Sequence, residues 1–416
     1  MDPLGVGWSV RRVRARTARI AALAALTLVA CRPSSSSEDA EPLTLTASDV
    51  QLLGTSESIA LVRDLEVLPD GSVWLLNSVE PLFIGFDGDG NLIDRHGSTG
   101  GGPDEFRMPA GLLAGGLDGE AWVFDFARHS FFQISRPGAD AAQLALPPTE
   151  IPPGSVRGGM DLMSPTVRTA RLGNEIIVPW TTATMDLGLP AYRMATLHAD
   201  LAALDPQAGS VRSFLTLGDV LDDPSADFVA TDGGFPLWYR LWAVCGDHLR
   251  VYDRVRNQLR GFTAAGVEVG PIELPPVRLT EVTPNEFARA VFPLRQAEVT
   301  GAVGTRLTSQ DSVRVLNDMA RELNGEPHEL AAYLPRYVDF RCTPEGTMWV
   351  QPIDLRVGGL KGGAAWLRIT ARGVTREVRF PERFDAVRFT SDRVWGVLRD
   401  ELDVASVAWI EWPDGT

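Results

Sequence analysis

The chain has 416 residues, 44% of them hydrophobic, and a formal net charge of −15. Taking away residues 1–30 removes five arginines and one aspartate, leaving 34 basic against 53 acidic residues, a net charge of −19. Anionic lipid surfaces and nucleic acids repel such a domain, so no nucleic acid is expected as a partner of the folded part. Forty glycines and 29 prolines argue against a helical protein and for many short strands punctuated by turns.

The chain opens with Arg11, Arg12, Arg14, Arg16 and Arg19, followed by the apolar run Ile20–Ala30. A basic segment before a short apolar one is the layout of a secretion signal. About a dozen residues reach less than about 20 Å as a helix, too short for the hydrocarbon core of a bilayer. The run closes on Leu28-Val29-Ala30-Cys31, which resembles the lipobox of bacterial lipoproteins. That resemblance implies cleavage after residue 30, lipid on Cys31 and an extracytoplasmic, membrane-anchored protein. An ordinary signal with a chance cysteine is the plainer alternative. Residues 31–42 are rich in Ser, Pro and acidic groups and cannot bury apolar area, so they are expected to form a flexible tether. Arg32 stands where enterobacterial sorting places Asp for inner-membrane retention, which favours the outer membrane.

A repeat follows. Asp64 to Asn77 reads strand, Pro69-Asp70-Gly71 turn, strand, and a third strand begins at Leu82. Leu117–Asp125 with Ser130, and Gly246–Asp253 with Gln258, repeat the plan; each time the next strand starts five residues after Asn77, Asp125 or Asp253. Pro and Asp favour type I turns, and Gly supplies positive φ. Further units lie at Val338–Val350 and Phe384–Gly396, and a degenerate one at about 171–217. Leu43–Ala47 is expected to supply the missing outer strand of the last unit and close the ring. A four-stranded meander cannot cover its own faces, so the expected fold is all-β, a six-bladed β-propeller over residues 43–416.

With its Pro-Asp-Gly-x-x-Trp turn, the loop Gly100–Pro109 and the ending Val394–Asp403, the sequence resembles the NHL-repeat-like six-bladed β-propellers of bacterial lipoproteins. The resemblance implies fold more than function. Thr283-Pro284-Asn285-Glu286 reads as a capping box opening a helix to about Val299, and a second helix is expected from Ser309 to Leu323. This helical insertion, about 281–332, falls between blades four and five. It is either a lid over one mouth of the propeller or a packing element.

No His-Glu-x-x-His, Cys-x-x-Cys or Gly-x-Ser-x-Gly motif is present, and the five histidines are scattered singly. Asp64, Asp339 and Asp385 each stand ten residues before a tryptophan (Trp74, Trp349, Trp395), at the start of the innermost strand of blades one, five and six. Gathered at one channel mouth, three carboxylates raise one another's pKa or require a cation. Arg63, Arg336 and Arg388 are close enough in sequence to supply it. The alternative is that each Asp caps neighbouring amides as part of the repeat framework. Two functions follow: an envelope-anchored binding or scaffolding propeller for a protein or small polar ligand, or a metal-dependent hydrolase resembling the gluconolactonase-like propellers. The Glu, Asn and Asp ligand set of those enzymes has no residue-by-residue match here.

Cys245 and Cys342 end the innermost strands of adjacent blades, and a disulfide between them stands against two buried free thiols. At the other end of the chain, Cys31→Ser is expected to block acylation and leave the precursor unprocessed or released. Detergent phase partitioning reads this, and normal processing with membrane retention of the variant would remove the lipoprotein reading.

Overall fold

The computed structural model describes residues 41–53, 59, 62–128, 130–135, 142–145, 155–157, 168–184, 196–216, 241–254, 256–277, 279, 281–290, 308–322, 334, 336–356, 363–370, 375–402 and 404–412. The expected signal segment, Cys31 and the tether up to residue 40 lie outside them. What is described is mostly β, in a propeller-like arrangement of sheets.

Two short strands, β1 (Leu43–Thr44) and β2 (Val50–Leu52), precede the repeats. The first sheet is an antiparallel meander of β3 (Val62–Val67), β4 (Val73–Asn77), β5 (Phe83–Phe86) and β6 (Leu92–His96). A two-stranded pair, β7 (Ser98–Thr99) with β8 (Glu105–Phe106), leads out of it. Next come β9 (Pro109–Ala114), β10 (Trp122–Asp125), β11 (Ser130–Gln133) and β12 (Gln143–Ala145), then β13 (Ser155–Arg157), β14 (Thr169–Leu172), β15 (Glu175–Thr184), β16 (Thr196–Asp205) and β17 (Ser210–Thr216). These two runs are joined into one nine-stranded sheet by a parallel pairing of β9 with β14. The remaining sheets are β18 (Trp242–Cys245) to β21 (Glu268–Glu273), β22 (Tyr337–Cys342) to β25 (Thr375–Arg379), and β26 (Phe384–Phe389) to β28 (Ala405–Glu411). First strands meet in succession: β3 with β9, β9 with β14, β14 with β18, β18 with β22, β22 with β26, and β26 with β3.

Both faces of the sheets carry apolar residues, and most core clusters draw on two neighbouring sheets. Leu65, Leu75 and Ile84 pack with Trp395, Val397 and Val407 on one side, while Trp74 and Leu76 pack with Leu112 and Val123 on the other. Trp242 and Trp349 are fully buried in two further seams. Each such side chain contributes on the order of 1.5–3 kcal/mol. The Pro69-Asp70-Gly71 turn closes through Gly71 N–H to Leu68 O at 2.9 Å, with Gly71 at φ 85°, where a side chain would be strained. Gly85 answers a different demand: a Cβ there would come within 2.8 Å of the Trp74 ring. Asn77, Asp125 and Asp253 are fully buried and tie down the turns that follow them; Asp125 accepts from the amides of Arg107, Met108 and Arg128.

The start of the chain is used differently from the sequence-based expectation. Leu43–Thr44 pairs in parallel with β25, and Val50–Leu52 pairs with β28 as the fourth strand of the last sheet. Between them the chain reverses in a 3₁₀ turn, Ala47–Asp49, capped by Thr46 N–H to Asp49 Oδ2 at 2.6 Å. Leu45, buried between the last two sheets, is the apolar anchor that draws the first segment to β25.

Helical residues 284–290 (α1) and Ser309–Glu322 (α2) lie between β21 and β22. The capping box opening α1 is formed, with Thr283 N–H on Glu286 Oε2 at 2.9 Å and Glu286 N–H on Thr283 Oγ1 at 3.2 Å. The expected continuation to Val299 lies outside the described residues. Among the described residues no helix is long and apolar enough to cross a membrane.

Cys245 and Cys342 are disulfide-bonded, with Cα atoms 5.1 Å apart. The contact of β18 with β22 brings the two strand ends together. The bridge closes a segment of 97 residues, so reducing it or introducing Cys342→Ser is expected to lower stability by about 4 kcal/mol. Urea denaturation measures the loss; a change below about 1 kcal/mol would mean that the bridge does not restrain the unfolded chain.

Candidate functional site

The first strands enclose a cavity of about 820 Å³. Its wall carries five arginines (Arg168, Arg171, Arg341, Arg388, Arg393) and three carboxylates (Glu66, Glu345, Asp392). Half-buried Val67, Val244 and Val387 provide apolar wall between them. In a chain with an excess of acidic groups, this concentration of guanidinium is local to the centre of the propeller.

Asp64, Asp339 and Asp385 do not line that cavity together. Asp64 is buried between the first two sheets, its Oδ1 accepting from Leu65 N–H at 2.9 Å and its Oδ2 from Leu112 N–H at 2.8 Å. Asp339 accepts from Phe340 N–H at 2.6 Å and from the guanidinium groups of Arg168 (2.7 Å) and Arg341 (3.2 Å). Asp385 is exposed. The cause of the difference is a bulge. In β3 and β22 the register shifts just before the aspartate; in β26 it shifts after it, between Ala386 and Arg388. Of the three neighbouring arginines, Arg388 lines the cavity, Arg63 is half-buried and Arg336 is exposed. Burial holds the Arg63 guanidinium below its ordinary pKa, against the pull of Asp64.

The groups that the structure does bring together sit opposite the tryptophans. Glu66 pairs with Trp74, Arg341 with Trp349 and Arg388 with Trp395 in register, and all three line the cavity. Arg388 crosses from β26 to β3: its Nε and Nη2 donate to Leu65 O at 3.1 and 3.0 Å, and Nη2 lies 2.7 Å from Glu66 Oε2. Glu66 also accepts from Gly115 N–H at 3.3 Å, tying in β9's end. Arg168 spans three sheets, donating to Trp242 O at 2.9 Å, Phe340 O at 2.7 Å and Asp339. Glu66, Arg168 and Arg341 were not singled out from the sequence. The signal was available: on the first strands of these three blades, the residue opposite Trp74, Trp349 or Trp395 is charged.

A divalent metal does not fit the groups present. Among the described residues no three His, Cys, Asp or Glu side chains are grouped to hold one. The cavity carboxylate with the deepest burial, Glu66, already faces a guanidinium.

No protein-family model and no curated protein matches the sequence. Among solved structures, the chain is similar to virginiamycin B lyase from Staphylococcus aureus, with 12% identity over 87% of this chain and 98% of that one, TM-score 0.37. It is also similar to regucalcin, a calcium-binding protein from Agrobacterium tumefaciens, at 12% identity over 89% and 95% of the two chains, TM-score 0.40. A luciferin-regenerating enzyme shares 9% identity over 88% and 95%, TM-score 0.42.

Burial pushes the Glu66 carboxyl up to about 7; Arg388 pulls it down and Asp64 adds to the rise. A carboxyl whose folded value lies above its unfolded value favours the fold at low pH, and that contribution disappears as pH rises from 4.5 to about 7. Glu66→Gln cannot titrate. The stability difference between this variant and the wild type is therefore expected to move in the variant's favour by roughly 3 kcal/mol across that range. Urea denaturation at about pH 4.5 and about pH 8 tests this; a difference independent of pH would show that Glu66 does not titrate there.

Proposed function

We propose that the chain is an envelope-anchored lipoprotein whose six-bladed propeller binds a small polar ligand in its central cavity, without a reaction of its own. On this reading Cys31 carries the lipid, the outer membrane is the destination, and the tether to residue 42 holds the domain off the bilayer. Two acyl signals or more are needed for firm anchoring, which lipoprotein processing at Cys31 would supply. The blade count rests on the unbroken succession of first-strand contacts from β3 round to β26, taking the nine-stranded sheet as two blades joined through β9 and β14. The helices α1 and α2 are then an insertion between blades four and five, spanning about 281–332.

One observation carries the binding role. The cavity of about 820 Å³ combines apolar wall with five arginines held in fixed positions. Concave sites of several hundred cubic ångströms with a few placed polar groups suit small ligands. Within the site, Arg388 and Arg341 face the ligand, while Asp64, Asp339, Asp385, Arg63 and Arg336 act behind or beside the wall. A protein partner is the other class of ligand for an anchored propeller of this kind.

A ligand that binds only the folded state raises the melting temperature with its concentration. The full chain in detergent, screened against small organic acids, amines and neutral sugars, is expected to be stabilised saturably by at least one class. If none of the three classes shifts the transition, the cavity is not a small-ligand site and the reading falls.

A further inference from the structure

Two features of the cavity wall decide which ligand it takes. Arg341 commits Nε and Nη2 to Asp339 Oδ2, at 3.3 and 3.2 Å. Arg388 commits Nε and Nη2 to Leu65 O and Glu66. Each guanidinium is therefore locked in orientation by one edge, and among the described residues neither Nη1 has a hydrogen-bond partner. Since β22 and β26 are in contact, the two arginines stand on successive first strands of the same wall. Two oriented donors that need no rearrangement bind an anion better than two mobile lysines would.

The charge balance selects the kind of anion. Each of these two arginines already has a carboxylate partner, Asp339 for Arg341 and Glu66 for Arg388, so the positive excess left for a ligand is small and comes from the other arginines of the wall. A dianion such as phosphate would press a second full charge against Glu66. A carboxylate brings one charge and two acceptor oxygens, one for each arginine's remaining donor. The wall also carries half-buried Val244 and Val387. Such a surface accepts the apolar body of an organic acid rather than a sugar.

Resting on the binding role above, we propose that the cavity takes the carboxylate of an apolar-bodied ligand between Arg341 and Arg388, and that Glu66, on the other edge of Arg388, sets how much charge that arginine has left for it. The ligand's acid meets the Nη1 groups that Asp339 and Glu66 leave, and its apolar remainder lies against Val244 and Val387. A free organic acid and the carboxy terminus of a peptide present the same chemistry.

Titration calorimetry on the full chain in detergent separates the possibilities. Benzoate is expected to bind at low-millimolar concentration or better, with benzamide and inorganic phosphate binding at least tenfold more weakly, the ratio of about 1.4 kcal/mol for one charge-assisted contact. Arg341→Gln should weaken benzoate at least tenfold, and Arg341 is paired only within its own strand, so this variant keeps the seams intact. Glu66→Gln should strengthen benzoate several-fold by removing the carboxylate that offsets Arg388, a gain that misfolding cannot imitate. A capped dipeptide ending in phenylalanine, as free acid and as amide, identifies the source: acid-dependent binding of the peptide points to a chain terminus, and its failure beside benzoate points to free acids. Benzamide or phosphate binding as well as benzoate overturns the proposal, as does an unchanged Arg341→Gln or a weakened Glu66→Gln. If amines or sugars stabilise the chain while benzoate does not bind, the carboxylate assignment falls and the binding role stands.

Discussion

Except where β9 pairs with β14, the inner edge of each sheet is a row of backbone amides and carbonyls with no further strand beside it, and the centre of the molecule is organised by the need to satisfy them. Edge groups removed from water and left unpaired cost several kcal/mol between them. Here the chain supplies side chains instead of a strand. Leu65 O is reached by Arg388, Trp242 O and Phe340 O by Arg168, Leu112 N–H by Asp64, and Phe340 N–H by Asp339. Each of the two arginines joins more than one sheet. The charged residues around the cavity are thus first a consequence of closing apolar sheets into a ring.

That origin gives the site its electrostatic character. A guanidinium placed to bond a carbonyl carries a full charge into a confined space, and it acquires a carboxylate partner to offset it: Asp339 for Arg168 and Arg341, Glu66 for Arg388. Glu66 is almost wholly buried, and its raised pKa follows from that burial before any neighbour is counted. The framework therefore holds a group poised to change charge near neutrality beside a guanidinium fixed by a backbone carbonyl.

Much of the architecture was legible in the sequence because it depends on local chemistry. The Pro-Asp-Gly turns, the buried Asn77, Asp125 and Asp253 after second strands, the capping box at Thr283 and the pairing of Cys245 with Cys342 all follow from short-range rules and from the repeat. The site was legible only in part. Counting ten residues back from each tryptophan finds aspartates, yet one bulged residue in β26 separates Asp385 from the pattern of Asp64 and Asp339. A bulge changes side-chain direction without changing composition, so spacing alone does not reveal it. Arg168 was invisible for another reason: its partners lie 74 and more than 170 residues away. The destination of Leu43 was misjudged because it turned on a four-residue cap and one buried leucine rather than on strand propensity.

The contrast among Arg168, Arg388 and Arg341 shows how such a framework becomes a site. Arg168 holds two carbonyls and a carboxylate and works as a tie between sheets. Arg388 divides its edge between a carbonyl and Glu66, so it serves backbone and side chain at once. Among the described residues Arg341 bonds only Asp339, two residues away on its own strand. Substituting it leaves the ties between sheets in place. A propeller can therefore vary the residue opposite its tryptophan, blade by blade, while the ties at its inner edges keep the ring closed.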